Sequence, residues 1–149
     1  MEETTELQPV PTSGVGNPII DTETGKLKFD VDLNKLRENG IFIGIPMYGG
    51  MIFGSVASSL MELAAICRIH NIPLARKFLF NESLIPRARN YIADAFLHQT
   101  PCQHMIFIDA DVDFTAQDIL ILADLQNKNP DYDVICGAYP KKVISWEKI

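Results

Sequence analysis

From Gly40 onward, short apolar runs alternate with longer stretches whose apolar residues recur at helical spacing. The run IFIGIP, residues 41–46, is β-branched and apolar throughout and is closed by proline, which predicts a buried strand. MYGGMIFG follows as a glycine-rich loop. Residues 55–70 place Val56, Leu60, Leu63, Ala64 and Cys67 on one helical stripe. Residues 73–80 read as a second strand, and residues 81–99 contain a second helix with Pro86 in its first turn. HMIFI, residues 104–108, is a third strand. Thr115 and Asp118 then make a capping-box start to a helix over 116–126, and residues 132–139 read as a fourth strand. Before Gly40 no periodicity is sustained. Residues 1–38 are expected to be a flexible tail, with a short turn of helix at DLNKLREN, and residues 39–149 a single packed domain.

Strands that are continuously apolar and separated by helices imply a parallel sheet covered on both faces. The expected fold is therefore α/β, a three-layer α/β/α arrangement of Rossmann-like type with a mostly parallel sheet and right-handed crossovers.

Composition narrows the function. With 47% hydrophobic and 21% charged residues the chain is globular rather than disordered. A formal net charge of −6 speaks against a nucleic-acid partner, although a small phosphorylated ligand needs only a local basic group or a metal. Cys67, Cys102 and Cys136 are odd in number, lack metal-ligand spacing and have mostly apolar neighbours. They read as buried, reduced thiols, and with no secretory signal pattern the expected compartment is cytoplasmic. No apolar run is long enough to span a membrane.

Ligands of open parallel sheets bind beyond the carboxyl ends of the strands. Those ends carry PMYGG, NES leading into PRARN, DADVD, and YPKK. Asp109, Asp111 and Asp113 alternate, so an extended segment would turn all three one way, and hard carboxylate oxygens suit Mg²⁺ or Mn²⁺. Asp113 can equally serve only to start the next helix. A calcium loop of the EF-hand type fails, because its sixth and twelfth positions would be Phe114 and Leu120. A phosphoaspartate phosphatase motif fits poorly, since its fifth position would be Asp113 and it would follow the third strand rather than the first. Arg87 and Arg89 lie near a helix start, a natural anion site, yet roughly 200° of helical rotation separates them, so both cannot face one ligand. Arg87 is the better candidate for a structural ion pair. Lys141 and Lys142 are further phosphate candidates, and His70, His98 and His104 show no ligand spacing.

Three blocks in order, IGIPMYGG, IPRARN and MIFIDADVDF, resemble the nucleotide-diphospho-sugar glycosyltransferases of the GT-A fold, in particular the family-2-like group. The resemblance covers roughly residues 40–142. It implies a metal-dependent transferase moving a sugar from a nucleotide-diphosphate-sugar donor to an unknown acceptor. It further implies that Asp111 coordinates Mn²⁺ or Mg²⁺, that Asp109 contacts the ribose or the metal shell, that Arg89 and Asn90 hold the nucleotide sugar, and that Pro46 and Tyr48 line the base pocket. The family's acidic turn after the second strand is replaced by Asn81 and Glu82, which stand in as donor contacts. The family's catalytic base lies beyond the matched region, and Glu147, the one acidic residue after YPKK, is not assigned that role. Two alternatives stand beside this reading. One is a non-catalytic nucleotide-sugar- or metal-binding accessory domain. The other is a related-fold nucleotidyltransferase, against which the loop PMYGGMIFG counts because it carries no lysine or arginine.

Overall fold

The computed structural model describes Thr24 and residues 30–138. The elements are α1 (Leu33–Asn39), β1 (Ile41–Met47), a 3₁₀ turn (Tyr48–Gly50), α2 (Gly54–His70), β2 (Leu74–Phe80), α3 (Ile85–Gln99), β3 (His104–Phe107) and α4 (Ala116–Lys128). The expected α/β class is present as a small open sheet of three parallel strands in the order β2-β1-β3. Ile41–Met47 pairs along its whole length with Leu74–Phe80, and Ile41–Gly44 pairs with His104–Phe107.

This order follows from the chain's own reversals. The path moves from β1 outward to β2, then back across β1 to β3. Right-handed crossovers in opposite directions put their helices on opposite faces. On one face α3 packs on the sheet, with Phe42, Ile92, Ala95 and Cys102 forming a buried cluster. On the other face α2 packs with α4, and α4 with α1. The central strand is buried at every position, which is why it reads as an unbroken apolar run. Gly44 is the point of closest approach between layers: a β-carbon there would lie 2.3 Å from Ile92 Cγ2.

Two expectations are revised. The helix at 33–39 is not part of a tail. Its Leu36 is fully buried, and the Asp32 backbone N–H donates to the buried Asp124 carboxylate on α4 at 2.9 Å. The compact unit accordingly begins at Val31. The expected fourth strand does not form over residues 132–138, and Tyr139 lies outside the described residues. The segment leaves α4 through a turn in which Tyr132 N–H donates to Asn129 O at 3.0 Å. Val134 is 77% exposed, so this run lacks the cover on both faces that a parallel strand requires. Cys136 sits in that segment and is exposed, whereas Cys67 and Cys102 are buried as expected. Among the described residues no helix is long and apolar enough to cross a membrane.

Candidate functional site

The strand order β2-β1-β3 places a topological switch point between β1 and β3. The chain runs from β1 to β2 on one side and returns to β3 on the other, and ligands of open parallel sheets bind beyond the carboxyl ends of the strands where the order reverses. A cleft of about 410 Å³ lies at this position. Pro46 and Tyr48 reach it from the end of β1, Arg89 from the first turns of α3, and Asp109 and Asp111 from the end of β3. Five of the residues singled out from sequence thus come together from three separated segments.

Each is positioned by a local cause. Gly49 and Gly50 take positive φ values of 71° and 72°, letting the chain turn sharply after β1 with Tyr48 at the rim. Ala88, Ile92 and Ala95 form the buried stripe of α3. Arg89, one residue from Ala88, is rotated about 100° from that stripe and comes to the cleft edge. At the end of β3, Ile108 N–H still donates to Gly44 O at 3.0 Å, so the ladder holds the chain up to the residue before Asp109. The strand then breaks into a turn closed by Val112 N–H donating to Asp109 O at 3.2 Å. Phe53 N–H donates to Ala110 O at 3.0 Å and ties the loop after β1 to this turn.

An ion pair spans the cleft. Arg89 Nη2 lies 3.2 Å from Asp109 Oδ1, and the guanidinium carbon sits 5.6 Å from the Phe107 ring centroid. Among the described residues no three of His, Cys, Asp and Glu are grouped closely enough to enclose a metal. A Mg²⁺ or Mn²⁺ ion here would therefore take one or two carboxylates, Asp111 with Asp109, and complete its shell with water and ligand oxygens. That is the usual manner of hard cations bound with phosphates.

The other expected contacts lie elsewhere. Asn81 occupies a left-handed turn (φ 58°) at the end of β2, on the far side of β1 from β3. Glu82 is bound to Arg87 through two hydrogen bonds of 2.6 and 2.8 Å and accepts a third from Leu84 N–H at 2.9 Å. Its carboxyl is held below the usual carboxylate range, first by the hydrogen bond from Arg87. This clasp makes Arg87 the structural partner and Arg89 the cleft residue. Asn90 is exposed but does not line the cleft, being one helical step beyond Arg89. Asp113 accepts a hydrogen bond from Ser55 Oγ, while the helix cap is made by Thr115 and Asp118. Lys141, Lys142 and Glu147 lie outside the described residues.

The structure adds Met51, Phe53 and Ile85 as an apolar wall of the cleft. Met51 and Phe53 are 75% and 57% exposed. The signal for them was available in MYGGMIFG, a loop that carries large apolar residues where polar ones are the norm. Cys67, outside the cleft, is pushed up to about 12 by burial and is an inert thiol. Comparison with family models, with curated proteins and with solved structures returns no match.

Proposed function

We propose that this chain is the donor-binding part of a metal-dependent, GT-A-like glycosyltransferase that takes a nucleotide-diphosphate sugar. The observation that carries the reading is the convergence of Pro46, Tyr48, Arg89, Asp109 and Asp111 on one cleft at the switch point of the sheet. Its chemistry is divided as such a ligand is divided. The apolar wall with Tyr48 offers a surface for a flat base, and the Arg89 guanidinium offers paired donors to phosphate oxygens. Asp111, with Asp109, offers hard oxygens to Mn²⁺ or Mg²⁺. A divalent cation held there would neutralise charge building on the departing nucleoside diphosphate.

Calorimetric titration with UDP and with GDP, in the presence of Mn²⁺, tests the reading. Binding is expected for at least one nucleotide and is expected to vanish in Asp111→Asn. Equal binding by that variant would remove Asp111 from the site, and no binding of either nucleotide by the wild type would end the donor reading. A second reading, a binding module without transfer activity, is favoured by one feature. Among the described residues the carboxylates lining the cleft are Asp109 and Asp111, read as ligand and metal contacts, which leaves none of the described carboxylates there as base for an acceptor hydroxyl. A donor-hydrolysis and transfer assay separates the two.

A further inference from the structure

We propose that Arg89 and Asp109 form a latch that makes the cleft take its anion and its cation together; this rests on the donor-binding reading above. The two side chains are 46% and 40% exposed, lie 3.2 Å apart, and line the same cleft. Phe107, two residues before Asp109 on the same strand end, underlies the Arg89 guanidinium. One short segment thus carries both the ring that seats the arginine and the carboxylate that pairs with it.

Each member of the pair suits one half of the ligand. A guanidinium matches phosphate oxygens, and a carboxylate matches a hard cation. While they are paired, each obstructs the other's ligand. A cation approaching Asp109 alone meets the positive charge of Arg89, and a phosphate approaching Arg89 alone meets the negative charge of Asp109. When both arrive, the anion takes Arg89 and the cation takes Asp109, so one ion pair is exchanged for two ligand contacts. The coupling is reciprocal: the cation must raise anion affinity by the factor through which the anion raises cation affinity. Arg87 takes no part, because its guanidinium is held by Glu82.

The test follows Mn²⁺ binding through paramagnetic broadening of the amide resonances of residues 109–112, without and with inorganic pyrophosphate. Wild type, Arg89→Met and Arg87→Met are compared, and the same spectra report whether each is folded. Arg89→Met is expected to bind Mn²⁺ alone about three- to fivefold more tightly, the scale of a half-exposed ion pair. It is also expected to lose the gain in Mn²⁺ affinity that pyrophosphate gives the wild type. Arg87→Met, which removes the same charge two positions away, is expected to match the wild type in both. Unchanged or weaker Mn²⁺ binding by Arg89→Met, or no broadening at 109–112 in any of the three proteins, overturns the latch. Coupled binding of Mn²⁺ and pyrophosphate without binding of UDP or GDP would instead overturn the nucleotide reading and leave the latch in place.

Discussion

At Gly44 a hydrogen stands where any other residue would place a carbon 2.3 Å from Ile92 Cγ2. Because Ile92 is fully buried and Gly44 is flanked by paired strands on both sides, neither neighbour can yield cheaply. Gly44→Ala is expected to destabilise the fold by about 1–3 kcal/mol through overpacking. Ile92→Ala alone is expected to cost about 2–5 kcal/mol through the cavity it leaves. Since the second change removes the atom that the first collides with, the double variant should be less destabilised than the sum, and denaturant melts of the four proteins measure that difference. Additive effects would mean that α3 is free to move off the sheet. The glycine was visible in IFIGIP, but its reason was not, because the partner lies 48 residues further along the chain.

Among the elements, α3 begins without a capping side chain: its N-cap, Leu84, supplies no side-chain hydrogen bond. The Glu82–Arg87 clasp, together with the bond from Leu84 N–H to Glu82, holds the chain there and places a negative charge by the positive end of the helix dipole. Folding lowers the pKa of Glu82, so the clasp contributes stability above the unfolded carboxyl value of about 4.3 and loses it as pH falls through the lower folded value. Glu82→Gln should therefore melt below the wild type at neutral pH, and the two melting curves should converge in acid; a constant gap across pH would refute the clasp. Patterning located β1, β2, β3, α2 and α4 to within two residues and held α3 inside 81–99, because helix and strand periods differ, but it put α1 in a tail and read a strand over 132–139 that residues 132–138 do not form. It misjudged faces where local apolarity was shared around a helix. In α2 the buried stripe includes Ile66, while Ala64 is exposed. Asn81 and Glu82 came to the ligand through the family resemblance, and the clasp that Arg87 closes on Glu82 is not legible in the sequence.

For the molecule as a whole, the strand order decides where function can sit, and that order is only partly written in the chain. Alternating strands and helices imply a parallel sheet, yet they do not say that β1 lies between β2 and β3. In that arrangement the ends of β1 and β3 stand at the cleft while no residue of β2 lines it. It also grades the stability of the parts. Ile41–Met47 is buried throughout, paired along its length with β2 and over Ile41–Gly44 with β3, whereas residues 132–138 are largely exposed. Hydrogen exchange should therefore be slowest at β1 and fast at 132–138. Addition of UDP with Mn²⁺ should slow exchange at residues 48–54 and 109–112, including the Phe53 and Val112 amides whose bonds join and shape those turns. The turn at 81–83 should be unaffected, because it stands across β1 from the carboxylates. Slowing at 81–83 equal to that at 109–112 would return Asn81 and Glu82 to the site and contradict the arrangement argued here. Uniform slowing over the whole chain would mean that the nucleotide stabilises the fold without occupying the cleft at the switch point.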